Sequence, residues 1–192
     1  MARQAILLTH RRRFPEAEKR LEEAKNLLKE IERLLSGWRE LGGSGMVYAP
    51  YQEFAEAKIL LEYVQSGQIL DSKSIEVPAI PYVLGLADFV GELRRLSLDS
   101  MRGEDFEAAE RALTTMEDIY ALLMTLETAP AITPGLRPKG DNARRLIEIT
   151  RGDVTSEARR RSLERSLIEL QSILGNRQDE GTKKESQSLS QE

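Results

Sequence analysis

Residues 82–100, YVLGLADFVGELRRLSLDS, decide the fold. A helix advances about 100° per residue, which places Asp88, Glu92, Arg95 and Asp99 within about 60° of arc as one charged stripe. The rest of the circumference carries Tyr82, Val83, Leu86, Phe89, Val90, Leu93 and Leu98, interrupted by Arg94. Such a helix is buried over most of its surface, with its charge confined to a seam. Gly85 and Gly91 flank that seam. Each weakens a helix by about 1 kcal/mol relative to alanine, which predicts something packing close to the backbone at both. Two carboxylates one turn apart here are either a narrow solvent-facing strip neutralised by Arg95 or part of a site.

Upstream, Pro50 is predicted to open the helix PYQEFAEAKILLEYVQSG, which stops near Gly67. Ala57, Leu60, Leu61 and Val64 form its apolar face, and Lys58 and Glu62 lie across from it. Glu53 and Glu56 fall on or beside the apolar side, where a carboxylate is costly unless paired, protonated or bound to a cation. Glu53-x-x-Glu56 and Asp88-x-x-x-Glu92 therefore each present two carboxylates on one helix face. Packing these faces together would gather four carboxylates, the way a helical protein holds one or two divalent ions. The pattern alone also suits all-α nucleotide pyrophosphatases and di-iron bundles.

Elsewhere the chain reads as further helices. Residues 2–12 have helical composition without an N-cap and fit the end of a helix. Pro15 starts a long amphipathic helix in which Leu21, Ala24, Leu28, Ile31, Leu35 and Trp38 repeat at three and four, a seam that fits either an internal core face or a subunit interface. GlyGlySerGly at 42–45 ends it. Residues 68–80, with Pro78 and Pro81 nearby, read as a connection. Asp105 is placed to cap FEAAERALTTMEDIYALLMTLE, whose buried face is Leu113, Met116, Ile119, Tyr120 and Leu123. A Pro/Gly loop spans 129–138. One long C-terminal helix then runs from Leu136 to about Leu174, with Gly152 the place for an irregularity. Residues 175–192 have no apolar pattern and read as a disordered polar tail beyond a 1–174 domain.

Composition bounds the chemistry. The 192 residues are 40% hydrophobic and 31% charged, with few aromatics, which suits one all-α domain. There is no apolar run long enough for a membrane span and no secretory signal pattern. The absence of cysteine removes disulfides, thiolate nucleophiles and zinc fingers, and fits a cytoplasmic protein. His10 is the sole histidine, which disfavours catalytic triads, His-rich metal sites and iron. Oxygen ligands around Mg²⁺ or Mn²⁺ are the remaining route to chemistry. The formal charge of -4 gives no global signal for nucleic acid, so phosphate binding would rest on local clusters. These are Arg11, Arg12 and Arg13, and the C-terminal series Arg144, Arg145, Arg151, Arg159, Arg160, Arg161 and Arg165.

Residues 82–100 with the following RGED at 102–105 resemble the segment YLLGVADLTGELMR and its continuation in translin-associated factor X, the partner of translin. QEFAEA at 52–57 is similar to that family's QEYVEA. With the order of helices, the likeness to the translin family, in a prokaryotic or archaeal form, extends to about Leu174.

The resemblance implies an α-helical fold of six or seven helices that assembles into a closed octameric shell around nucleic acid. In the translin-associated factor X branch it implies a Mg²⁺-dependent endoribonuclease, whose metal ligands match Glu53, Glu56 and Asp88, with Glu92 a further acidic neighbour. Translin keeps only the equivalent of Glu92 and binds RNA and DNA, so this sequence sides with the nuclease branch. The first helix looks shortened where the family carries basic residues, and GSGMVYAPY replaces a basic segment. RNA, or single-stranded DNA, would then be held by Arg11–Arg13 or the Arg-rich C-terminal helix. A non-catalytic nucleic-acid binder and a nucleotide pyrophosphatase are the alternatives.

Overall fold

The computed structural model of the chain describes residues 1–35, 45–127 and 135–188, with side chains left out at 35, 45–47, 127 and 173–188. All regular structure among the described residues is helical: α1 (Ala2–His10), α2 (Phe14–Leu35), α3 (Gly45–Ser66), α4 (Ala79–Arg102), α5 (Phe106–Glu127) and α6 (Leu136–Ser188). None of these helices is long and apolar enough to cross a membrane.

The chain divides into two compact units, Met1–Arg151 and Gly152–Glu192. In the first, α4 lies between α3 and α5, and α1 and α2 pack on each other and on α3. Phe89, Val90 and Leu93 of α4 are fully buried, as are Ile59, Leu60 and Leu61 of α3 and Met116 and Leu123 of α5. Each such side chain contributes about 1.5–3 kcal/mol by leaving water, so the apolar arc of residues 82–100 is what holds the unit together. Phe89 meets Tyr63 edge to face, with ring centroids 5.5 Å apart. Ser97, buried on α4, donates its hydroxyl to the Ala109 carbonyl at 3.1 Å and ties α4 to α5.

The two glycines of α4 differ. A Cβ at Gly85 would lie 2.7 Å from the Gln52 carbonyl oxygen and 2.9 Å from Ala55 Cβ, so α3 crosses α4 backbone to backbone there. At Gly91 the same Cβ would meet only Leu146 Cδ1 at 4.0 Å, an ordinary contact, and the expected close approach at this position is absent.

Other boundaries shift from expectation. Leu21, Ala24 and Leu28 are buried in the first unit's own core, which makes the first half of the α2 seam internal. Leu27 and Leu34 of α2 are exposed instead, and Trp38 lies outside the described residues. Helix α3 begins at Gly45 and includes Pro50 in its second turn, where proline forgoes one backbone bond without ending the helix. Residues 42–44 and 128–134, parts of two expected loops, also lie outside the described residues. Asp105 caps α5 as expected, its Oδ1 accepting the Ala108 N–H at 2.9 Å.

Leu136, Ala143 and Ile147 of the first turns of α6 join the core, which carries the first compact unit through Arg151. In the second unit the backbone is helical to Ser188, passing Gly152 without interruption. Polar residues such as Gln, Glu, Lys and Arg are good helix formers even where no apolar face organises them. Leu163, Leu167, Ile168 and Leu170 of this unit are exposed.

Candidate acidic site

The crossing at Gly85 positions the site. Gln52 and Glu56 stand one turn apart on α3 beside it, and on α4 Asp88 follows Gly85 by three residues, with Glu92 a further turn on. Among the described residues, each of these carboxylates except Glu56 has a polar partner from another helix. Asp88 accepts from two donors, Lys139 Nζ to Oδ1 at 2.5 Å and Gln52 Nε2 to Oδ2 at 2.5 Å. Glu53 Oε1 accepts from Arg3 Nη2 at 2.8 Å. His10 Nε2 lies 2.5 Å from Glu92 Oε2. Arg3 and His10 are seven residues apart on α1, about two turns, so one face of that helix reaches both carboxylates.

Glu56 is different. Its half-buried carboxyl is pushed up to about 8, first by burial and then by repulsion from Asp88, Glu92 and Glu53, with Lys139 partly offsetting them. Near neutral pH it is a carboxyl that holds a proton, or one that would give it up to a cation. Among the described residues, no three carboxylate or imidazole groups stand close enough to enclose an ion together. Asp88 and Glu53 are instead turned to ammonium and guanidinium partners. Carboxylate oxygens are the donor type that Mg²⁺ or Mn²⁺ takes, but as these are placed they do not gather around one ion.

Sequence reading missed four residues of this environment. His10 is not a surface neighbour of Arg11–Arg13; its side chain is 3% exposed against Glu92. Arg3, Gln52 and Lys139 also escaped notice. The seven-residue spacing of Arg3 and His10 and the four-residue spacing of Gln52 and Glu56 were the available signals.

The basic clusters lie elsewhere. Arg11, Arg12 and Arg13 are exposed at the turn between α1 and α2, with Arg12 in the left-handed region at φ 58°. Arg13 pairs with Glu16. Arg144 binds Glu148 at 3.1 Å, Arg145 donates to Asn142 Oδ1 at 2.9 Å, and Arg151 binds Glu117 at 2.6 Å. All three are exposed on α6 but already engaged. A separate cavity of about 630 Å³, lined by Arg12, Tyr63, Leu96, Ser100, Arg111 and Thr115 among others, includes none of the four carboxylates.

The fold and site define an all-α protein whose α3–α4 crossing sets three carboxylates, Asp88, Glu92 and Glu53, around Glu56. Residues 2–155 match the translin family, and the chain belongs to it. An uncharacterised protein of Methanocaldococcus jannaschii is 35% identical over 113 residues, 58% of this chain and 50% of its own length. The chain thus spans about half the length of that curated relative. Among solved structures, AfC3PO in complex with duplex RNA is 33% identical with a TM-score of 0.71, covering 83% of each chain. AfC3PO solved separately gives 34% identity, a TM-score of 0.71 and the same coverage. Apo-NeC3PO is similar in fold alone, at 24% identity and a TM-score of 0.72 over 81% of each chain.

Proposed function

We propose that the chain is an RNA-binding, divalent-ion-dependent endoribonuclease of the translin-associated factor X type that works within an oligomeric shell. The observation that carries this reading is the α3–α4 crossing at Gly85, which sets Glu56 among Asp88, Glu92 and Glu53. Translin-family membership and the likeness to a C3PO bound to duplex RNA support the nucleic-acid half. Glu53, Glu56, Asp88 and Glu92 would hold Mg²⁺ or Mn²⁺, which supplies neutralisation of phosphate charge and an activated water. Gln52 orients Asp88 through Oδ2, and His10 fixes Glu92. Without an ion, burial and its acidic neighbours push the Glu56 carboxyl up to about 8, and a bound cation would draw that proton off. Arg11 and Arg12 offer exposed charge for RNA phosphates. Self-association is supported by Leu163, Leu167 and Leu170, exposed at spacings of four and three.

A second reading, a non-catalytic nucleic-acid binder, is favoured by one observation: Lys139 and Arg3 already neutralise Asp88 and Glu53. One experiment separates the two. RNA cleavage is measured with Mg²⁺ and with EDTA, for the native chain and for Glu56→Ala and Asp88→Ala, beside a nucleotide-hydrolysis control. Nuclease function requires metal-dependent cleavage that both substitutions abolish while RNA binding persists. Undiminished cleavage by Asp88→Ala would sink the assignment, and binding without cleavage by the native chain selects the second reading.

A further inference from the structure

The cavity of about 630 Å³ lies apart from the acidic site, among the α1–α2 turn, the last turns of α3 and α4 and the first half of α5. Its volume is that of a small-molecule site. Val64, Leu96 and Ala112 supply apolar lining, and hydroxyl groups and two arginines, Arg12 and Arg111, supply polar lining. None of these side chains takes part in the acidic site.

Arg12 sits where a helix end favours glycine. At φ 58° it ends α1 in the left-handed region, and the Arg13 N–H closes back on the Leu8 carbonyl at 2.9 Å. Glu76 and Glu104 adopt the same backbone, so the strain alone points to no ligand. The side chain sets Arg12 apart. Glu76 is spent on Lys25 at 2.7 Å, whereas the Arg12 guanidinium lines the cavity with no ion-pair partner among the described residues. Arg111 is held by Glu107, but at 3.6 Å and with both groups mostly exposed, a pair that costs little to release. Glu107 and Glu110 also line the cavity and are exposed, so an anion has to lie on the arginines and away from them. The hydroxyls have a defined polarity. Thr115 donates to the Arg111 carbonyl at 2.9 Å, so in its 3.0 Å contact with Tyr63 Oη the tyrosine is the donor. The Tyr63 oxygen is then left to accept from a ligand hydroxyl.

We propose that this cavity binds a nucleoside monophosphate, with the phosphate monoester on Arg12 and Arg111, the sugar hydroxyls on Tyr63 and its neighbours, and the base against Val64 and Leu96. Guanidinium forks match phosphate oxygens in pairs, which a lysine could not do. The phosphate monoester can come from a free mononucleotide or from the 5′ end of an RNA strand. Neither source needs an ion at the acidic site, and the proposal does not rest on the nuclease reading.

The test titrates the full chain, in EDTA, with AMP, adenosine and ribose 5-phosphate by calorimetry. A 2′-O-methyl RNA with a 5′-phosphate is compared with its 5′-hydroxyl form by anisotropy. AMP should bind about tenfold more tightly than adenosine, the scale of one charge-assisted hydrogen bond, and more tightly than ribose 5-phosphate. Arg111→Ala should weaken AMP binding by a similar factor. Arg12→Gly should do the same with an unchanged or higher melting temperature, because glycine relieves the left-handed backbone, a split that a purely structural role would not give. Glu107→Gln should tighten AMP binding by freeing Arg111. A preference for the 5′-phosphate RNA that Arg12→Gly abolishes supports the site with the strand end as a source, and equal RNA affinities beside AMP binding support it with the free nucleotide. The proposal is overturned if neither AMP nor the 5′-phosphate RNA is preferred over its unphosphorylated counterpart, or if that preference survives both arginine substitutions. Ribose 5-phosphate binding as tightly as AMP overturns the nucleoside assignment.

Discussion

Gly85 and Gln52 meet where neither has room for another atom: a Cβ on Gly85 would stand 2.7 Å from the Gln52 carbonyl oxygen. The neighbour is backbone and cannot swing aside. Everything in the acidic site is referred to this contact, because Gln52 and Glu56 lie on one side of it and Asp88 and Glu92 on the other.

Gly85→Ala should therefore destabilise the first unit by about 1–3 kcal/mol, the usual range for an overpacked core position. Gly91→Ala is the control. It meets only Leu146 Cδ1 at 4.0 Å, so it should leave stability unchanged or raise it by about 0.5–1 kcal/mol through higher helix propensity. Urea denaturation of the two variants checks both signs at once.

The elevated Glu56 carboxyl predicts a pH dependence. Folding raises its pKa from 4.5 to about 8, so between these values the folded chain keeps a proton that the unfolded chain has lost. Stability linked to this group is greatest below pH 4.5, falls as pH rises through the window, and levels off above about 8. Glu56→Gln should remove that decline and be the more stable protein at pH 8.5. Denaturation midpoints measured from pH 5 to 9 decide the matter, and a native chain that gains stability across pH 5–8 would contradict the assignment.

His10→Ala should cost about 1–3 kcal/mol, because it removes a buried partner from a carboxylate. Arg3→Ala should cost under about 0.5 kcal/mol, since Arg3 is 84% exposed and its ion pair is screened. Hydrogen exchange across α1 should rise strongly in the first variant and little in the second.

For RNA, the prediction discriminates among arginines. Arg13, Arg144 and Arg151 already hold carboxylates and would have to give them up, whereas Arg11 and Arg12 are exposed at the α1–α2 turn. Arg11→Ala and Arg12→Ala should each weaken binding and reduce the slope against log salt by about 0.7 per lost phosphate contact to a single strand. Arg144→Ala and Arg151→Ala should change it less. Equal losses at all four positions would show that the ion pairs do not matter.

The helical architecture was legible because its signals are local and periodic. Phe89, Val90 and Leu93 repeat on one face of α4, and that face is the core. The close approach at Gly85 was also readable, but the same rule misfired at Gly91, since a glycine reports that space is left and not what fills it. The acidic pairs could be placed on their helix faces for the same reason that the core could. Their partners could not. Lys139 is 51 residues from Asp88 and His10 is 82 from Glu92, and no periodicity joins residues on different helices. The α2 seam fitted both an internal face and an interface because burial within a subunit and between subunits needs the same apolar spacing.

Those long separations carry a consequence for how the protein is made. The chain is synthesised from its N-terminal side onward, and α1 emerges with Arg3 and His10 long before Glu53 and Glu92 exist to receive them. The last partner, Lys139, arrives only after α5 has left the ribosome. The acidic cluster is therefore assembled late, and in a nascent chain that ends before α6, Asp88 would have Gln52 beside it but no ammonium. Stalled or truncated products should thus be recognisable by a site that is folded in outline and wrongly charged.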